Sequence, residues 1–310
     1  MTDIPPETPA PTPVRSAPTS GLTPAVAVAI VVTVLAWASA FIVIRAVGPF
    51  FSGGSLALGR LLVGAVFLSA LVIGRPWIKP DGREWALIVG FGVAWFAAYN
   101  VALNIAEQTL DAGTTAMLVN IGPILIAVGA GLLLGEGIPT WLAIGAGVAF
   151  VGVVLIGIAT GAGFGDGTGV LWCLLAAVTY AAGVLMQKPA LRRLPAAQVT
   201  WLGCVIGAIA CLPFARTLVD EALAAPVTAD LGVLYLGAVP TALGFTAWGF
   251  ALSRMPAGQL GVSTYIVPPV AIVLGLVFLG EVPPALALVG GAVCLGGVAL
   301  SRRRSVPRTP

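Results

Sequence analysis

An all-α integral membrane protein of ten transmembrane helices, arranged as two inverted five-helix repeats around a central cavity, is the fold this sequence predicts. Three observations lead there. Of 310 residues, 59% are hydrophobic and 9% charged, with a mean hydropathy of +1.05, where soluble domains carry about a quarter charged residues. Ten apolar stretches are each about long enough to cross a hydrocarbon core of about 30 Å. A phrase near the middle, NIGPILIAVGAGLLLGE at 120–136, returns as YIVPPVAIVLGLVFLGE at 265–281.

Residues 1–22 are rich in Pro, Thr and Ala with few large apolar side chains. They cannot offset ordering entropy by burial and read as a disordered cytoplasmic tail. A basic n-region is missing, which argues against a cleaved signal peptide. The spans follow at 24–46, 53–74, 85–106, 112–134 and 139–159, then 168–187, 197–215, 230–252, 257–279 and 285–301. Backbone groups facing lipid must be satisfied within their own segment, and no dyad alternation suggests a barrel, so each span reads as a helix. The resulting units are a first repeat at 23–160, a second at 161–302 and a basic cytoplasmic tail at 303–310.

Charge placement sets the orientation. With a cytoplasmic N-terminus, the inner face receives Arg15, Arg75, Lys79, Arg83, Lys188, Arg192, Arg193, Arg254 and the four arginines 302, 303, 304 and 308. The outer face receives only Arg45 and Arg216, and Arg60 lies inside the second span. These bases are scattered rather than gathered on one face, so the net charge of +3 does not point to nucleic acid. Cys173, Cys204, Cys211 and Cys294 sit in apolar runs without metal-ligand spacing and read as packing residues. No histidine occurs, which removes HExxH zinc chemistry, Ser-His-Asp catalysis and histidine proton relays together. No metal or cofactor is expected.

A shift of 145 residues places Pro123 on Pro268, Gly135-Glu136 on Gly280-Glu281, Pro139 on Pro284, Gly145 on Gly290 and Gly152 on Gly297. About fourteen identities fall in about forty-five aligned positions, where about four are expected by chance. Five spans separate corresponding points, and five is odd, so the second copy enters from the opposite side. Pro123 and Pro268 each lack an N–H and bend their helices near mid-span. A bend of this kind either shapes packing or opens onto a wet cavity, and its presence in both copies favours the cavity. Glu136 and Glu281 lie just past a span and before prolines, where an acid suits the start of the next helix. They read as structural punctuation.

The ordered set of ten spans, a mid-helix proline and a Gly-Glu in each half, AWASAFIVIR in the first span and LALGRLL in the second resembles the EamA branch of the drug/metabolite transporter superfamily. The resemblance covers about residues 24 to 302. It implies a plasma-membrane permease, often an exporter of amino acids or related metabolites, whose cavity is lined by the first four helices of each half. The glycine-rich fifth and tenth helices would lie at the periphery. The central glutamate on which the four-helix multidrug branch depends is missing from the first span.

Polar and aromatic groups within spans are functional candidates by default. They are Trp37, Ser39, Trp95, Tyr99, Asn100, Asn104, Thr115 and Asn120 in the first half, and Tyr180, Thr241, Trp248, Ser263, Thr264 and Tyr265 in the second. Asn120 corresponds to Tyr265, one turn before each proline, and Trp37 to Tyr180. Those four, with Tyr99, Asn100 and Trp248, form the expected substrate site, and Pro123 and Pro268 the expected gating breaks. Asn100 and Asn104 share a helix face and either bind a ligand or tie helices together. Trp95 and Trp248 are cavity walls, packing residues or interfacial belt. Arg60 is read first as a partner of Glu107 or Asp111, with a substrate carboxylate or snorkelling as the other options.

No acidic residue lies near the middle of a predicted span, so a buried-carboxylate proton cycle has no evident carrier. The expected activity is outward movement of amino acids or similar metabolites across a bacterial inner membrane by alternating access. Nucleotide sugars, phosphorylated metabolites or drugs are the rival cargoes, but phosphates want several basic groups and only Arg60 is available. A membrane enzyme lacks its nucleophile and base. A non-transporting sensor would lack a soluble signalling domain.

Overall fold

The computed structural model describes residues 23–133, 140–159, 167–255 and 257–300. The tails at 1–22 and 303–310, and the expectations for Gly135, Glu136 and Pro139, lie outside these residues. All regular structure among the described residues is helical. The segments are α1 (Pro24–Val47), α2 (Gly53–Val72), α3 (Gly82–Thr109), α4 (Ala112–Leu133), α5 (Thr140–Ala159), α6 (Thr168–Ala190), α7 (Ala196–Ala210), α8 (Val227–Arg254), α9 (Ala257–Leu279) and α10 (Ala285–Leu300).

Six of them, α1, α2, α3, α4, α6 and α8, are long and apolar enough to cross a bilayer unaided. A bent pair, α7 with its continuation Leu212–Ala224 turned by 52°, passes the same test as a unit. Shorter apolar stretches, Ala143–Ile156, Thr264–Leu279 and Ala285–Gly297, lie in α5, α9 and α10. The segment expected at 197–215 therefore runs further and bends, because Pro213 cannot continue the ladder of α7. Large apolar side chains such as Val66, Phe150, Leu171 and Phe278 point outward. This is a multi-pass membrane protein, and lipid covers those side chains.

Local chemistry starts the helices where the chain turns. Thr23 accepts from Val26 N–H at 3.4 Å ahead of Pro24. Asp81 and Glu84 form a reciprocal capping box at α3. Asp111 caps α4 by accepting from Thr114 N–H at 2.8 Å.

Ionic ties gather at the two ends of the bundle. At one end Arg193 pairs with Glu84 and donates to Lys79 O at 2.9 Å. The carboxylate pushes the Arg193 guanidinium above its ordinary value, yet an exposed pair of this kind adds little stability. Lys188 closes the same end, donating to Met255 O at 2.9 Å past the last turn of α8. At the other end Arg45 pairs with Glu281 at 2.8 Å and donates to Glu107 O at 2.9 Å. Glu221 accepts from Ser52 N–H at 3.0 Å and also pairs with Ser55. Glu281 thus does more than mark a helix boundary.

Equivalent helices of the two halves touch through glycine. A Cβ on Gly152 of α5 would stand 2.5 Å from Gly290 O and Cys294 N of α10, and one on Gly297 would stand 2.6 Å from Gly145 O. These are the glycines that the 145-residue shift superimposes. Small residues let backbones approach where lipid offers no hydrophobic drive for helix association. Gly152→Val should therefore force the α5–α10 pair apart and destabilise the protein by about 1–3 kcal/mol. Thermal unfolding of detergent-purified protein followed by tryptophan fluorescence checks this; an unshifted midpoint would contradict the packing.

Candidate functional site

Both prolines break their helices, and each break has a carbonyl to satisfy. The ring nitrogen of Pro268 cannot donate to the carbonyl four residues back, that of Thr264. The chain tightens there into a 3₁₀ turn, Thr264–Ile266, before resuming at Val267. In α4 the helix stops at Val119, turns at Asn120 and Ile121 and resumes at Gly122, with Pro123 just inside the new start. The two breaks meet. Asn120 Nδ2 donates to Thr264 O at 3.1 Å, and Thr264 Oγ1, whose proton goes to Gly261 O at 2.6 Å, lies 3.4 Å from Asn120 Oδ1. The 3₁₀ turn brings Val267 N–H to Thr264 O in place of the donor that proline removed, and Asn120 of the other half adds a second.

Two further irregularities lie 145 residues apart. α3 widens into a π-helix over Gly92–Ala98 and α8 over Gly237–Gly244. Each begins at a glycine pressed against the other half: a Cβ on Gly92 would stand 2.7 Å from Gly203 O, and one on Gly237 2.8 Å from Arg60 O. Asn100 Nδ2 serves Phe96 O at 2.7 Å and Trp95 O at 3.2 Å. In α8, Thr241 Oγ1 donates to Leu236 O at 2.8 Å while accepting from Arg60 Nε at 3.1 Å.

These breaks surround a cavity of about 50 Å³, smaller than the usual small-molecule site. Trp37, Phe41, Trp95, Tyr99, Tyr180 and Phe245 form its aromatic walls, and Arg60, Asn120 and Thr264 are its polar side chains. The walls are locked ring to ring: Trp95 lies 4.8 Å from Tyr180 and 4.9 Å from Phe245, and Trp37 lies 5.4 Å from Phe245. Tilted and edge-on contacts of this kind add to the burial of the rings themselves.

The expected site residues divide. Trp37, Tyr99, Asn120 and Tyr180 line the cavity together. Trp248 does not: it is fully buried behind the wall, 5.0 Å from Trp37. Asn100 is buried and occupied by the π-turn carbonyls, so it supports the wall from within α3. Asn104 ties α3 to α2 through Gly53 O at 3.0 Å. Tyr265 is half-buried and does not line the cavity; Thr264 and Val267 take the place expected for it. Ser39 is engaged with Tyr235 at 2.7 Å, and Thr115 with Asp111 O at 3.0 Å.

The ion pair expected for Arg60 is not formed. Among the described residues no carboxylate comes within ion-pair distance of it, and its Nη1 has no partner. Glu107, close to the end of α3, is 2% exposed, and neither carboxylate oxygen has a partner among the described residues. Sequence reasoning names Glu107 only as a partner for Arg60, because it sits near a span end, and passes over Phe245 because an isolated phenylalanine in a span carries no signal. No group of three or more metal-ligating side chains occurs among the described residues.

Asn120→Ala should leave Thr264 O with Val267 N–H alone and lower stability by about 0.5–1.5 kcal/mol. Tyr265→Ala, outside the cavity, should affect ligand binding less than Tyr180→Ala. Denaturant titration and ligand thermal shift on the three variants check this order, and equal effects of the two tyrosines on binding would refute the lining.

The model of the EamA-like transporter family matches the chain twice, over residues 24–158 and 167–303. A probable terminal-alkyne amino-acid exporter of Streptantibioticus cattleyicolor is 38% identical over 90% of this chain and 94% of its own length. The uncharacterized transporter YdfC of Bacillus subtilis is 31% identical over 86% of this chain and 87% of its own. A crystal structure with 18% identity superimposes with a TM-score of 0.63, covering 89% of this chain and 96% of that one. That last likeness speaks to fold alone.

Proposed function

The chain belongs to the EamA-like transporter family, a membrane transporter and not an enzyme, and we propose that it exports amino acids with small apolar side chains by alternating access. The observation that carries this reading is the aromatic-walled cavity held between the two pairs of helix breaks. Its walls suit an apolar side chain, and a relative 38% identical is named as a probable exporter of terminal-alkyne amino acids. Ligands with several phosphates would meet one basic side chain there, Arg60.

The reading extends to architecture. Ten crossings in two inverted halves are supported by the two family matches and by the 145-residue spacing of the π-turns. They are supported too by the end contacts, since Arg193 with Glu84 and Arg45 with Glu281 each join segments that ten alternating crossings bring to the same face. Basic residues concentrate at the Arg193 end, which we assign to the cytoplasm of a bacterial inner membrane. The repeats then occupy 23–160 and 161–302.

Alternating access needs elements that bend in two ways. The breaks at Asn120 and Thr264 serve as those bends, with Pro123 and Pro268 keeping the helices from closing over them. The Arg45–Glu281 contact closes the outer end and must open for release. Proteoliposomes holding the purified protein should show saturable flux of L-norvaline, L-leucine or 2-aminopent-4-ynoate, and Trp37→Ala or Tyr180→Ala should reduce it about tenfold or more. Absence of flux for every amino acid in that panel would sink the cargo assignment. A disulfide formed in the R45C/E281C double variant should stop flux until a reductant is added; a crosslinked protein that still transports at the full rate would remove the outer gate.

A further inference from the structure

We propose that Arg60 is the anchor for the carboxylate of an α-amino acid, and that the same cavity takes the ammonium group on aromatic faces rather than on a carboxylate of its own. This rests on the amino-acid reading above and goes beyond it by assigning the two ends of the ligand. Arg60 is 2% exposed, lines the cavity and is held by one bond, from Nε to Thr241 Oγ1 at 3.1 Å. Its Nη1 is buried with no partner among the described residues. The indole Nε1 of Trp37, another group that can only donate, is likewise buried and unpartnered, and Trp37 lines the same cavity. A buried guanidinium without a counter-charge is costly. A ligand bringing a carboxylate removes that cost and fits the planar donor edge of arginine.

Thr241 makes the geometry reproducible. Its hydroxyl proton goes to Leu236 O at 2.8 Å. The lone pairs of the same oxygen are thereby turned toward Arg60 Nε. Thr241 is a positioning residue for the guanidinium.

Nothing acidic lines the cavity, so the ammonium group has two other partners. One is the set of electron-rich ring faces of Trp37, Trp95, Tyr99 and Tyr180. The other is the end of the helix Ala112–Val119, where Pro123 has removed the donor that would have reached Val119 O and where Val119 itself lines the cavity. One cationic anchor facing a π-rich wall discriminates a zwitterion from a free amine and from a simple carboxylate.

The test is counterflow of 2-aminopent-4-ynoate, L-norvaline and L-leucine in proteoliposomes. Each is competed by its own amide, which lacks the carboxylate, and by the matching acid without an amino group. For the wild-type protein the amide should compete about tenfold or more weakly than the amino acid, and the deaminated acid should also be weaker. Arg60→Gln should weaken amino-acid binding about tenfold or more and abolish its advantage over the amide, and Arg60→Lys should restore part of it. Amides that compete as well as amino acids on the wild type, or a folded R60Q protein that keeps the wild-type preference, would overturn the anchor and leave the transport reading standing. A deaminated acid that competes as well as the amino acid would reduce the site to a carboxylate site and overturn the zwitterion assignment. Absence of flux for all three amino acids in the wild type overturns both.

Discussion

The hydrogen bond from Asn120 to Thr264 O is the constraint from which the middle of this protein follows. A proline inside a transmembrane helix removes one donor, and hydrocarbon offers no replacement. The freed carbonyl of Thr264 takes Val267 N–H by tightening into a 3₁₀ turn, and its second lone pair stays open to a neighbour. In α9 it faces α4, and the residue that meets it sits at α4's own break. Each break is thus turned inward by the other. Two helices that might have presented smooth apolar sides to lipid instead present their irregular sides to one another, and a cavity forms where neither can pack closely.

The same economy recurs one layer out. Side chains also bond to the carbonyls at the π-turns of α3 and α8, and the two that do so, Asn100 and Thr241, fix what stands beside the cavity. Asn100 holds the turn that carries Trp95 into the wall; Thr241 holds Arg60. The glycines opening the two π-turns let α3 approach α7 and α8 approach α2, the arrangement expected when one five-helix unit is rotated onto another. Irregular backbone here is the means by which a symmetrical bundle acquires a site.

Much of this was legible in the sequence, and the limits are specific. Hydropathy located the helical segments, because length and apolarity are the properties a bilayer selects. The 145-residue repeat exposed the paired prolines and the glycines of α5 and α10. Trp37, Tyr99, Asn120 and Tyr180 were identified as polar or aromatic residues in mid-span, and they do line the cavity. Tyr265, which matches Asn120 in the register of the repeat, does not line the cavity. The second break is a 3₁₀ turn and the first is an interrupted α-helix. A 3₁₀ turn advances about 20° more per residue than an α-helix, so the residue aimed at the axis becomes Thr264. Asn100 and Trp248 stand off the lining for a related reason: a π-turn rotates the helix beyond it, and sequence spacing carries no sign of that rotation. Arg60 was assigned a partner because a lone buried cation looks unfinished, and a sequence cannot show that the unfinished side faces a cavity.

The strengths of the interactions decide what governs opening. Arg45 and Glu281 are 31% and 26% exposed, and ion pairs screened to that degree contribute about 0–1 kcal/mol. Such a contact can record which state the outer end is in, but it is too weak to choose the state. Moving a two-state equilibrium from mostly closed to mostly open requires about 5.5 kcal/mol of differential binding, several times what the outer pair supplies. The larger quantity available is the unmet charge of Arg60 among rings already locked to one another. A ligand that completes that charge in one state and not in the other supplies the difference, and one that binds both states equally shifts nothing however tightly it is held.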